Sequence, residues 1–140
     1  MRMSAKKLHA LIFLHSLSVS HSLVIMFEFQ NLEIYKKSKA FHLNCRGLIL
    51  SKKLDNYVKD QLGRASFSIV LNIAEGSAKF SKPDRKNYFV TSRGSVFECV
   101  AVLDILHDQE IITKQEFENL IGQADELSRM MYAMIKNLAN

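Results

Sequence analysis

The sequence predicts an all-α protein that folds as an antiparallel up-down-up-down four-helix bundle. Apolar residues make up 48% of the 140 residues and charged residues 24%, which is typical of a globular domain with a real core. One proline and five glycines supply few of the turn signals that a β fold requires. Apolar residues recur instead at helical spacing in four segments, and the short connections between them indicate antiparallel neighbours.

The first predicted helix spans about residues 31–50. Its apolar stripe repeats at about 3.6-residue spacing and contains Cys45 near its middle. We therefore interpret Cys45 as a small core residue rather than a nucleophile. Cys45 and Cys99 lie far apart and form no CxxC motif, so neither a zinc site nor a redox motif is indicated. We expect reduced thiols in an intracellular, cytoplasmic protein.

The second predicted helix spans about residues 55–80 and begins at Asp55, a residue that favours helix N-caps. One apolar stripe runs through it, and a second set of apolar residues lies on the opposite side at about 100° per residue. A helix that is apolar all round requires burial on both faces. We expect the second face to contact another subunit through Phe67, Val70 and Leu71.

The third and fourth helices carry clear start signals. Ser81 can cap the third helix, Pro83 suits its first turn, and Asp84 favours the positive end of the helix dipole. Thr113 and Glu116 form a T-x-x-E capping box at the start of the fourth helix, which runs to the C-terminus. Both helices continue with an apolar stripe on one side.

Residues 1–25 stand apart from this pattern. They have the outline of a secretory signal, but His9 and His15 interrupt the short apolar stretch and no clear cleavage site follows. No run of about 18 apolar residues indicates a membrane span. We expect translation to begin at Met26, so that residues 1–25 are a non-native or disordered extension and residues 26–140 form the bundle domain.

Four segments together carry a resemblance to a known protein family: LEIYKKSKAFHL, QLGRASFSIVLNIAEGSAKFSKPDRKNYF, SRGSVFECVAVLDIL and a final helix that ends MIKNL. Residues 27–138 resemble the 23S rRNA-intervening-sequence protein family, also called the S23 family, and NIAEG is the most specific element. The chain is also similar to the accessory variability protein of diversity-generating retroelements. That resemblance implies a non-enzymatic bacterial bundle, a homopentamer, and a possible association with nucleic acid or a protein partner.

The resemblance also marks five positions: Asn72, Ala74, Glu75, Gly76 and Glu98. Gly76 lies on the core stripe of the second helix, where a neighbouring helix could pack closely. An unpaired buried carboxylate is costly, so Glu75 must reach solvent or have a partner. Two roles remain open for Glu75 and Glu98: a polar clamp that fixes helix register or subunit docking, or a contact to a ligand.

Charge is distributed unevenly along the chain. Residues 26–96 hold thirteen Lys/Arg and six Asp/Glu, a net +7, whereas residues 97–140 hold three and eight, a net −5. This asymmetry favours either an anionic partner or attraction between copies. Near the junction of the second and third helices, Phe80 and Tyr88 accompany a basic cluster that we predict to bind nucleic acid: Lys79, Lys82, Arg85, Lys86 and Arg93.

No catalytic residue, metal site or cofactor is predicted. Asp104 and His107 have the spacing of one di-iron element, but a di-iron bundle needs a second such element and further carboxylates. His42 and Cys45 lack a third ligand. We therefore expect a non-enzymatic, self-associating bundle that binds RNA or DNA; the alternative is a protein-interaction scaffold whose basic residues are only solvated.

Overall fold

The structure is a computed structural model that describes residues 27–139. Within these residues the chain forms four long helices: α1 (Glu33–Ser51), α2 (Asn56–Ala78), α3 (Lys82–Asp108) and α4 (Lys114–Leu138). No β-strand occurs in this part of the chain. The predicted all-α class is confirmed, and the predicted extension at residues 1–25 lies outside the described residues.

The chain divides into two compact units at Leu32. The described part of the first unit contains a single 3-10 turn, Glu28–Asn31, beside which the rings of Phe27 and Phe29 meet edge to face with centroids 6.2 Å apart. All four α-helices belong to the second unit.

The four helices form a closed antiparallel bundle. Each helix contacts the next one along the chain, and α4 returns to contact α1. The connections at residues 52–55, 79–81 and 109–113 are short, so consecutive helices must run in opposite directions. Helices α1 and α3 therefore occupy opposite corners of the bundle, as do α2 and α4.

The core consists of the apolar stripes that the sequence predicts. Each helix turns one stripe inward, and the largest fully buried apolar side chains come from all four helices: Phe41, Leu62, Ile69, Ile73, Val96, Leu103, Leu106, Leu127 and Met131. Burying each large apolar side chain contributes roughly 1.5–3 kcal/mol. In the described residues, every buried side-chain nitrogen or oxygen has a hydrogen-bond partner, so the few polar groups in the core carry no desolvation penalty from a missing hydrogen bond.

Two of the predicted helix starts are confirmed in detail. The Ser81 hydroxyl accepts a hydrogen bond from the Asp84 backbone N–H at 3.2 Å. Thr113 and Glu116 form the reciprocal capping box, with distances of 3.1 Å and 2.8 Å. Asp55 is the N-cap residue of α2, but its side chain makes no capping hydrogen bond, so the expected stabilisation is missing there.

Helix α3 ends at Asp108, and a residue with a left-handed backbone follows two positions later. Glu110 has a φ of 56°, and the backbone N–H groups of Glu110 and Ile111 donate to the carbonyls of His107 and Leu106 at 2.9 Å and 3.0 Å. This arrangement satisfies the carbonyl groups that a helix C-terminus leaves open. Glycine normally occupies such a position, so Glu110 holds a strained conformation here.

None of the helices in the described residues is long and apolar enough to cross a membrane.

Candidate nucleic-acid interface

The connection between α2 and α3 brings four cationic residues to one corner of the bundle. Residues 79–86 hold Lys79, Lys82, Arg85 and Lys86 against Asp84, a net charge of +3. Lys82 and Arg85 are exposed, and Lys79 and Lys86 are half-buried. The corner is therefore a compact basic surface at one end of the four-helix bundle, and we refer to these four cationic residues as the basic corner.

Two contacts fix the shape of the basic corner. The Arg85 Nε donates a hydrogen bond to the Lys79 carbonyl at 2.6 Å, which satisfies a carbonyl at the C-terminal end of α2. The Lys79 ammonium lies 5.1 Å from the centroid of the Tyr88 ring. Arg85 thus combines a structural contact with an exposed positive charge, a dual role that the sequence alone does not indicate.

Phe80 projects from the same corner. Its side chain is 102% exposed, the highest value among the large apolar residues. No side chain of residues 27–139 covers the ring. Tyr88, the other aromatic residue predicted to stack on a ligand, is half-buried and lies under Lys79. Phe80 is therefore the more accessible of the two rings.

Arg93 does not join the basic corner. It follows Lys86 by seven residues, which places it roughly 10 Å further along α3. Its Nε donates to the Ser128 carbonyl of α4 at 3.4 Å, and its guanidinium lies 4.8 Å from the Phe97 ring centroid and 5.8 Å from that of Tyr132. Arg93 therefore connects α3 to α4. Of the five cationic residues predicted to form one cluster, four lie together at the basic corner.

The family position Asn72 belongs to a polar seam between α2 and α3. Its Nδ2 donates to the carbonyl and the hydroxyl of Ser68 at 2.9 Å and 3.0 Å, and the Ser68 hydroxyl lies 3.0 Å from that of Ser95. The buried Ser92 hydroxyl donates to the Ile69 carbonyl at 2.9 Å. These short side chains let the two helices approach closely, and Asn72 holds the Ser68 hydroxyl that contacts Ser95 of α3.

Gly76 lies in the same seam and packs closely against α3. A Cβ placed on Gly76 would lie 2.8 Å from Phe89 Cε1 and 2.9 Å from Tyr88 Cβ. The expected close packing at Gly76 is therefore confirmed. Gly94 of α3 has no such contact, because it is exposed and a Cβ there would meet nothing within 4 Å.

The remaining family positions are more open. Ala74 is half-buried, whereas Glu75 and Glu98 are exposed. Neither carboxylate forms an ion pair within residues 27–139. Of the two possibilities for Glu75, contact with solvent is the one observed in the single chain. Asn72 and Gly76 thus have structural roles in the subunit, and Glu75 and Glu98 remain available to a partner.

The predicted outer face of α2 is exposed only in part. Phe67 and Leu71 are 49% and 43% exposed, whereas Val70 is 6% exposed. Val70 is therefore buried by its own subunit and has little surface left for a neighbour. The Phe67 ring also lies beside His42 of α1, with ring centroids 5.3 Å apart.

The residues weighed as metal ligands have other partners or face solvent. His42 Nδ1 lies 2.8 Å from the Ser66 hydroxyl, and burial together with the nearby Arg46 lowers its pKa. The His107 ring stacks on Phe117 with centroids 4.4 Å apart, and Asp104 is exposed. Among residues 27–139, no group of three His, Cys, Asp or Glu side chains is arranged to hold a metal ion.

Both thiols are buried. Burial raises the pKa of Cys45 to about 12, and burial, with smaller contributions from Cys45 and Glu98, raises the pKa of Cys99 well above its ordinary value. Neither thiol is a nucleophile at neutral pH, because the thiolate is the reactive form.

Comparison with known proteins agrees with this architecture. The model of the family described as 23S rRNA-intervening sequence protein matches residues 30–133. A crystal structure of a protein with unknown function from the S23 ribosomal protein family of Bacteroides thetaiotaomicron is similar, with a TM-score of 0.70 and 22% identity over 74% of this chain and 98% of that chain. No curated protein matches the sequence. The four-helix bundle described here belongs to the 23S rRNA-intervening sequence protein family.

Proposed function

We propose that this protein is a non-enzymatic, self-associating helical bundle that binds nucleic acid through the basic corner. The observation that carries the proposal is the concentration of four cationic side chains on one rigid connection, at the end of two helices. The family description refers to 23S rRNA, which favours RNA as the ligand. We place this activity in the cytoplasm of a bacterium, as the resemblance implies.

The charges of the basic corner suit a phosphate backbone. A lysine or arginine that neutralises a phosphate releases bound counterions, so affinity falls as salt rises, with a slope of about −0.7 to −0.9 per phosphate contacted. Four contacts would give a slope of roughly −3 to −3.5. The corner offers no helix-turn-helix or zinc-finger geometry, so we expect recognition of backbone and shape rather than of base sequence.

Phe80 adds a second kind of contact. A fully exposed ring flanked by lysines can stack on an unpaired base, an interaction worth about 1–3 kcal/mol per base. Bases inside a duplex are already stacked on each other. We therefore expect RNA with unpaired nucleotides to bind more tightly than a duplex of the same charge.

The second candidate function is a protein-interaction scaffold without nucleic-acid binding. The exposed Phe67 and Leu71 favour it, because exposed large apolar side chains are common at sites of protein contact. The likeness to the accessory variability protein and the pentameric state remain predictions from the sequence. Under this alternative the basic corner only improves solubility or pairs with an acidic neighbour.

Fluorescence anisotropy of a labelled structured RNA and a matching DNA duplex, measured across a salt series, distinguishes the two functions. The informative variant is Lys82→Ala/Lys86→Ala. It leaves Arg85 in place, whose loss would also remove the hydrogen bond to the Lys79 carbonyl. For a nucleic-acid binder we expect weaker binding and a salt slope that is less steep by about 1.5–2.

A matched control is Lys53→Ala/Lys59→Ala. It removes the same charge from one exposed and one half-buried lysine at the opposite end of α2. The control should keep the affinity and slope of the wild type. Equal losses in both variants would mean that only net charge matters, and no binding at low salt by folded protein would overturn the proposal in favour of the scaffold.

A further inference from the structure

The outward side of α1 carries an apolar face. Leu43 and Leu50 are 61% and 75% exposed, and Gly47 lies between them one turn from each. The neighbours of Leu43 show which way it points: His42 contacts Ser66 of α2, and Asn44 donates a hydrogen bond to Gln123 of α4 at 2.9 Å. Leu43 therefore lies between those two directions, away from the bundle.

The outward side of α3 carries a second and longer apolar face. Its members follow each other at spacings of three or four residues, so they lie on one side of the helix. Val90, Phe97 and Ile105 are 48%, 54% and 57% exposed. Exposed small residues separate them, and the complete α3 face is Val90, Gly94, Phe97, Ala101 and Ile105.

The two faces cannot meet within one subunit, because α1 and α3 occupy opposite corners of the bundle. We propose that the α1 face of one copy packs against the α3 face of the next copy, in a head-to-tail contact. This inference rests on the self-association that is part of the proposed function, and it names the surfaces that form the contact. The occupant of each face is a second copy of this chain.

Charge around the two faces supports this occupant. Residues 36–53, which include the α1 face, hold six Lys/Arg and no Asp/Glu; three of these side chains form ion pairs within the subunit, which leaves Lys39, Arg46 and Lys53 for a partner. Residues 90–105, the span of the α3 face, hold Glu98 and Asp104 against Arg93, a net charge of −1. An α1–α3 contact therefore brings opposite charges together, whereas α1–α1 or α3–α3 contacts would bring like charges together.

No contact within residues 27–139 explains why the two faces carry glycines. A Cβ on Gly47 or Gly94 would meet nothing within 4 Å, yet glycine in a helix is less favourable than alanine. Absence of a side chain at the centre of each face lets another helix approach closely. Gly122 is also open, but it lies among the charged residues of α4, including Glu118 and Glu126, and belongs to no apolar face.

A contact between two different faces has a geometric consequence. Each copy keeps one unused α1 face and one unused α3 face after pairing, so the contact repeats until a rotation closes a ring, or else continues as a filament. The α2 residues Phe67 and Leu71 are not required for this assembly.

Light scattering coupled to size-exclusion chromatography tests the inference, without nucleic acid, on the full chain of 16.0 kDa. Leu43→Gln/Leu50→Gln disables the α1 face, and Phe97→Gln/Ile105→Gln disables the α3 face. Glutamine preserves charge and helix propensity, and circular dichroism checks that both variants are folded. We expect the wild type to be a closed oligomer and each variant alone to be a monomer.

Mixing the two variants gives the most specific outcome. One variant retains an intact α3 face and the other an intact α1 face, so the mixture should form a one-to-one dimer and nothing larger. A Phe67→Gln/Leu71→Gln control should keep the mass of the wild type.

Three results would overturn the head-to-tail contact: unchanged mass in both face variants, a mixture that stays monomeric, or dissociation by the α2 control alone. A wild type that is monomeric at every concentration would instead remove self-association itself and leave the nucleic-acid proposal to its own experiment.

Discussion

Replacing Gly76 by alanine should destabilise the bundle, although the same change at an open helical glycine should stabilise it. In a helix interior, alanine is more favourable than glycine by about 1 kcal/mol. At Gly76 the new methyl group would lie 2.9 Å from Tyr88 Cβ, an atom fixed to the backbone of α3, and 2.8 Å from the Phe89 ring. Relief of this overlap requires α2 and α3 to separate, and such overpacking costs about 1–3 kcal/mol.

The matched control is Gly122→Ala, because a Cβ on Gly122 would meet nothing within 4 Å. Urea unfolding followed by circular dichroism, at one fixed protein concentration, gives the free energy of unfolding for both variants. We expect Gly122→Ala to be more stable than the wild type by about 1 kcal/mol, and Gly76→Ala to be less stable than Gly122→Ala by about 1–3 kcal/mol. Equal stability of the two variants would refute the close contact between Gly76 and α3.

Three further changes in stability can be measured by the same unfolding experiment. Thr113→Ala removes the capping box of α4 and should lower the free energy of unfolding by about 0.5–2 kcal/mol; no change would mean that the cap is not formed in solution. Glu110→Gly relieves a residue with a φ of 56° and should raise stability by about 0.5–1 kcal/mol, whereas Glu118→Gly in mid-helix should lower it by about 1 kcal/mol. Burial raises the pKa of Cys45 and Cys99 in the folded protein, so these thiols lose their protons at lower pH in the unfolded chain than in the folded one. The free energy of unfolding should therefore fall as the pH rises above about 9, by up to about 1.4 kcal/mol per thiol and pH unit. A Cys45→Val/Cys99→Val variant should lose this part of the pH dependence, and an identical profile in both proteins would contradict it.

The helices were predictable because their signals are local. Apolar spacing within one helix and a serine or threonine at its start depend on residues fewer than ten positions apart, and the observed starts at Lys82 and Lys114 follow Ser81 and Thr113 as expected. The basic corner was predictable for the same reason, since residues 79–86 are contiguous. A short connection holds them together whatever the helices pack against.

The orientation of individual side chains across helices was not predictable in this way. Arg93 turns from the basic corner because its partner Ser128 lies 35 residues away on α4. Val70 is buried rather than exposed, because the rotation of each helix depends on all its neighbours at once. Periodicity identifies the faces of a helix, and the packing of the whole bundle decides which face is covered.

The interface between α1 and α4 determines when the bundle can close during synthesis. Every other helix interface joins neighbours in sequence, and contacts of that kind form rapidly. The contacts of α1 with α4 join distant parts of the chain; they include the ion pairs Lys37–Glu126 and Lys52–Glu116, both at 2.8 Å. Of the four helices, α4 leaves the ribosome last. Until it docks, helices α1, α2 and α3 leave one side of their shared core uncovered, and the nascent chain exposes apolar surface.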